Sequence, residues 1–101
     1  MRKIINRKMY NTETATRLGI YHICRHGRFN YCKEALYQKK NGEFFLMGKG
    51  GAASKYGEQV GTNEWSSGAT IIPYSKEEAK DWLKEYGDAE VYRELFENAE
   101  P

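Results

Sequence analysis

Very little in this chain could staple it together. Two cysteines, two histidines and two prolines are all that 101 residues contain, too few for the disulfide framework of a small secreted domain. No apolar run approaches the roughly 20 residues that a membrane-crossing helix needs, and residues 1–6 show no apolar stretch of the kind that heads an exported chain. The expectation is a cytoplasmic chain forming a single domain over residues 1–101, with thiols or metal ligands favoured over a disulfide. The run Gly48-Lys49-Gly50-Gly51 has the flavour of a phosphate loop, but no Lys-Ser/Thr pair closes it, so nucleotide binding is not expected.

Aromatic residues and charge are plentiful. Eight tyrosines bring the aromatic share to 14%; each packs its ring and keeps a polar end, which suits a core edge or a contact surface. The net charge of +2 conceals a division: ten Lys/Arg face two Asp/Glu in residues 1–40, whereas six face twelve in residues 41–101. Two solvated faces of opposite sign would suffice to produce this, and so would a partner-binding surface.

Local patterns predict an α+β fold: a small antiparallel sheet with a central hairpin, a short N-terminal helix and two C-terminal helices. "RKIINRKMYN" reads as a strand pair or a strand with a tight turn. "NTETATRLG" reads as the short helix, capped by Asn11 or Thr12 and ended by Gly19. Over residues 29–48 two strands flank "KKNG", with either a tight Asn41-Gly42 turn or a longer loop bulged at Gly42; the second register sets Tyr37 against Phe45 and Lys39 against Glu43. Residues 48–68 read as a long glycine- and serine-rich connection with one helical turn at 53–56, and Trp65 within it is a candidate contact residue. "ATIIPY" is a strand ending at Pro73. Ser75 and Glu78 then form a capping box for a helix with Ala79, Trp82, Leu83 and Tyr86 on one stripe. Gly87 ends it, and Asp88 caps a second helix carrying Val91, Tyr92, Leu95 and Phe96.

All the histidines and cysteines fall in "YHICRHGRFNYC", residues 21–32. His22, Cys24 and His26 alternate, so an extended segment would put them on one face. Cys32 could return as a fourth donor after a turn at Gly27. Two imidazoles and two thiolates in a tetrahedral set suit zinc, with no open position and hence a structural role. Packed histidines with buried thiols, or a Cys24–Cys32 disulfide, are the alternatives. No nucleophile–base arrangement or oxyanion hole is legible, so a non-enzyme without a small-molecule substrate is expected.

Three stretches, "KIINRKMYNTETATRLG", "EALYQKKNGEFFLMGKGGAASKYG" and "IIPYSKEEAKDWLKEYGDAEVYRELF", together resemble a family of small proteins encoded by phages and mobile elements of Gram-positive bacteria. Segment 20–32 lies outside the shared pattern, so a zinc site there would be particular to this chain. The resemblance implies an anti-CRISPR protein in the host cytoplasm that binds a type II RNA-guided DNA nuclease and blocks its DNA binding or cleavage, with no membrane partner and with binding to the nuclease expected over direct nucleic-acid binding. An acidic face can occupy a basic channel that holds guide and target by their backbones. Residues 76–100 carry nine Asp/Glu against four Lys/Arg, which makes Glu77, Asp81, Glu85 and Asp88, with Trp65, the candidate partner-binding residues. The alternatives are a structural accessory protein of the element and a small nucleic-acid-binding regulator that uses the basic half, with Tyr10, Tyr21, Phe29 and Tyr31 as stacking rings.

Overall fold

The computed structural model of the protein describes residues 1–22 and 31–97. Among them the fold is α+β: antiparallel sheets followed by two C-terminal helices. Strands β1 (Arg2–Ile5) and β2 (Lys8–Asn11) form a hairpin. Its turn residues Asn6 and Arg7 have φ of 52° and 68°, the mirror-image turn whose twist matches that of paired strands. Strands β3 (Thr16–His22), β4 (Cys32–Gln38) and β5 (Phe44–Gly50) follow, then a small hairpin of β6 (Glu58–Gly61) and β7 (Glu64–Ser66), then β8 (Gly68–Tyr74). The main sheet has the order β3-β4-β5-β8, with every neighbouring pair antiparallel. Helices α1 (Lys76–Tyr86) and α2 (Ala89–Phe96) close the fold.

The expected N-terminal helix over 11–19 is not there. The Asn11 side chain accepts a hydrogen bond from the Glu13 backbone N–H at 2.9 Å, and the Thr14 and Ala15 N–H groups donate to the Asn11 carbonyl. This side-chain-mimicked turn reverses the chain before a helix can nucleate. Beyond it, pairing with β4 draws Thr16–His22 into a strand, a tertiary gain that outweighs weak helical propensity. Gly19 is therefore a strand glycine. A Cβ there would sit 3.0 Å from the Trp82 ring, so its absence lets α1 approach β3 closely. The long connection of 48–68 is corrected too: it contains the β6–β7 hairpin, turning at Asn63 with φ 60°, and residues 51–57 make successive turns rather than one helical turn.

The central hairpin takes the bulged register. Tyr37 opposes Phe45, the Lys39 N–H donates to the Glu43 carbonyl at 2.7 Å, and Gly42 has φ +96°. Nothing lies within 4 Å of a Cβ built at Gly42, so only its backbone conformation demands glycine. Gly42→Ala should accordingly cost about 1 kcal/mol, read as a lower urea midpoint with unchanged slope; an unaffected midpoint would show that the turn relaxes.

Both faces of β4 and β5 carry core residues. Leu36, Phe44 and Leu46 point to one side and pack with Ala79, Trp82 and Leu83 of α1. Ala35, Tyr37 and Phe45 point to the other and pack with Ile71 and with Tyr10 of the β2 strand. The first side is the helix side of the sheet and the second the hairpin side. The capping box at α1 forms as expected: the Ser75 Oγ accepts from the Glu78 N–H at 3.1 Å, and the Glu78 carboxylate accepts from the Ser75 N–H at 2.8 Å. Strand β8 runs on through Pro73 to Tyr74, tolerable because an edge strand leaves one side of its backbone unpaired.

Candidate functional site

The charge division of the sequence becomes a division in space. On α1 the acids and the lysines each recur every four residues and so occupy different flanks: Glu77, Asp81 and Glu85 on one, Lys76, Lys80 and Lys84 on the other. The lysines are turned toward α2. Lys76 and Lys80 place their ammonium groups 6.0 and 5.7 Å from the Phe96 ring centroid, and Lys84 lies 5.7 Å from that of Tyr92, within cation–π range. Little positive charge then returns to the acidic flank. Its one ion pair among the described residues is Lys80 with Glu77 at 3.9 Å, where the Glu77 side chain is 79% exposed. Asp81 and Glu85 form none among the described residues. Asp88, the fourth acid of the set, acts locally and caps α2 by accepting from the Glu90 N–H at 2.8 Å.

Trp65 is placed apart from those acids, on β7 opposite Gln59. It is 55% exposed, with Val60 of the same hairpin also exposed. Its ring borders a shallow cavity of about 460 Å³ shared with Ala52, Ala53 and Ser54.

Residues 51–57 are anchored by Glu34, a group that no local sequence pattern singles out. It is 3% exposed on the helix side of β4. Its carboxylate accepts from the Tyr56 hydroxyl at 2.5 Å and from the Trp82 Nε1–H at 3.0 Å, and pairs with the Lys55 ammonium at 2.7 Å. Gly48 makes room, since a Cβ there would overlap the Tyr56 ring. Burial, the largest single influence on Glu34, pushes its pKa up; the three donors together outweigh it and hold the carboxyl below the usual range. Tyr56 is pushed well above the ordinary phenol value by burial and by the Glu34 charge, so it stays a donor. The hub thus ties β4, α1 and the 51–57 turns into one unit. The only hint in the sequence is the alternation Cys32, Glu34, Leu36: a charge at an inward position must have partners.

The zinc candidates do not converge where they are described. His22 pairs with Lys33, and Cys32 with Gly50. Paired residues share a face and successive residues alternate, so exposed His22 lies on the hairpin side and buried Cys32 on the helix side. Cys24 and His26 lie outside the described residues. Among the described residues no three of His, Cys, Asp and Glu gather to hold a metal ion. His22 and Cys32, the described half of the set, thus face opposite sides of the sheet, and the proposed function is built without zinc.

Of the candidate stacking rings, Tyr10 is buried under the β1–β2 hairpin, and Tyr21 lies on the helix side stacked on Tyr86 at 4.3 Å. Phe29 lies outside the described residues. Tyr31 is half-buried beside His22, their ring centroids 6.4 Å apart. Near the central turn, Glu43 is held at about 2 by hydrogen bonds from Lys8 and Lys39, so that acid is already neutralised. No helix among the described residues is long and apolar enough to cross a membrane. Comparison with protein-family models, curated proteins and solved structures finds no match to this chain.

Proposed function

We propose that the protein is a binding inhibitor of a type II RNA-guided DNA nuclease, of the anti-CRISPR kind, and that the acidic flank of α1 is its principal contact. The observation that carries this reading is the turning of Lys76, Lys80 and Lys84 toward the rings of α2, with Asp81 and Glu85 in no ion pair among the described residues and Glu77 79% exposed, held only by Lys80 at 3.9 Å. A ridge of carboxylates spaced at one helical turn suits a basic channel built to hold a nucleic-acid backbone. The sequence resemblance supplies the class of target. Trp65 offers a separate amphipathic contact of the kind enriched at interface centres.

The test is a pull-down with guide-loaded nuclease followed by a cleavage titration. Inhibition should saturate near one inhibitor per nuclease. The triple reversal Glu77→Lys, Asp81→Lys and Glu85→Lys should weaken it at least about tenfold, since a reversed charge repels where its parent attracted. Full inhibition at strongly substoichiometric amounts would point to chemistry rather than occupancy. Unchanged inhibition by the triple variant would remove the acidic flank from the contact.

A further inference from the structure

The hairpin side of the sheet carries the opposite charge. Its rows can be read from the register. In the row Ile20, Ala35, Met47 and Ile71, the last three belong to the cluster packed with Tyr10 of β2, while Ile20 at the β3 edge is exposed. The next row is His22, Lys33, Lys49 and Ala69. Arg17, opposite Tyr37, points to the same side at the β3 edge. Every charged residue that these strand positions offer to this side is basic. Among the described residues Lys33, Lys49 and Arg17 form no ion pair. The Lys33 ammonium is held below its ordinary pKa by burial first, then by the neighbouring Lys49 and Arg17 charges. Like charges set on adjacent strands and left uncompensated destabilise a sheet, and a polyanion would relieve them.

Rings stand beside these cations. His22 shares the Lys33 row, and Tyr31, two residues before Lys33, lies against it. At the Lys49 end the strip opens into a groove of about 550 Å³ walled by Tyr31, Lys49, Gly50, Gly51, Gly68 and, as the one acid among the described residues, Glu58. A basic track with ring faces at its margin is what an unpaired nucleic-acid strand needs: cations for the backbone and π-faces for the bases. A duplex would keep its base faces stacked, and a lipid surface has no bases to stack.

We propose that this strip of the sheet, with Lys33, Lys49 and Arg17 as backbone contacts and Tyr31 and His22 as stacking rings, binds single-stranded nucleic acid. The surface lies across the sheet from α1, so the inference goes beyond the inhibitor reading and neither depends on the other. If both hold, the protein engages a nuclease–guide complex through its protein with one side and through an exposed strand with the other.

Fluorescence anisotropy with a labelled oligothymidylate, and separately with the uridylate RNA, tests it over a range of salt. Binding should weaken with salt at a log–log slope of about −2, as for three backbone charges on a single strand. Lys33→Gln with Lys49→Gln should lower affinity about tenfold or more and reduce the slope to about −0.7. Tyr31→Leu should weaken binding with the slope unchanged, which a purely electrostatic surface would not show. Arg17→Gln, on an exposed edge residue, repeats the slope test without touching the half-buried Lys33, and each variant's melting temperature is measured alongside. The proposal is overturned if neither oligonucleotide binds at low salt, or if affinity and slope survive in folded Lys33/Lys49 and Arg17 variants. Binding to vesicles of anionic phospholipid without binding to either strand overturns it equally.

Discussion

Trp82→Ala should remove about 3–5 kcal/mol of folding free energy, the range for truncating a large buried aromatic. Trp82 is 4% exposed and packs with Leu36, Phe44, Leu46, Ala79 and Leu83. Its ring is also what closes on Gly19 of β3, and its Nε1–H is one of the three donors to Glu34. Truncation would therefore open a cavity at the junction of α1 and the sheet and leave a buried carboxylate short of a partner. Folded domains are stable by only about 5–15 kcal/mol, so much of the protein's stability would go. Trp82→Phe separates the two contributions: it keeps most of the apolar contact and loses only the hydrogen bond, for about 1–3 kcal/mol. Urea denaturation followed by circular dichroism measures both. A loss under about 1 kcal/mol for the alanine variant would mean that α1 does not depend on this ring.

Glu34→Leu should cost about 3–5 kcal/mol, because removing one partner of a buried charged cluster strands the others. Lys55 can return to water, its side chain being 60% exposed; Tyr56 and Trp82 cannot do so without opening the core. The pH dependence follows from the direction of the shift. Glu34 has a lower pKa in the folded chain than its ordinary value. Its contribution is fully present above the unfolded carboxyl value, about 4.3, and fades as pH falls through the folded value. Glu43 behaves alike, being held at about 2, so the parent protein should lose stability progressively below about pH 4. Glu34→Gln should be less stable at neutral pH and show a shallower acid decline, with the Glu43 part remaining. Equal acid slopes in parent and variant, measured by thermal unfolding across pH 2–7, would show that Glu34 does not carry the linkage.

Much of the fold was legible because its signals are local. Ser75 with Glu78, and Asp88 before α2, are caps that need only a few neighbouring residues, and both helices begin where those caps put them. Asn41 and Gly42 marked the central hairpin, although two registers suited the turn and pairing of whole strands chose between them. The acidic character of α1 was legible too. Which acids stay uncompensated was not, since that depends on α2 folding back to present Tyr92 and Phe96 to the lysines.

The sequence by itself determined where the central hairpin turns, where α1 and α2 start and how much charge of each sign the chain carries, because those properties rest on residues within a few positions of one another. Tertiary structure decided the rest. Residues 16–22 became a strand because β4 offered them hydrogen bonds that no isolated segment could supply. His22 and Cys32 came to lie on opposite sides of the sheet because strand register, a long-range property, assigns faces. The same register turned a charge imbalance along the chain into a basic face and an acidic flank on opposite sides of one sheet, and buried Glu34 where only side chains distant in sequence could satisfy it.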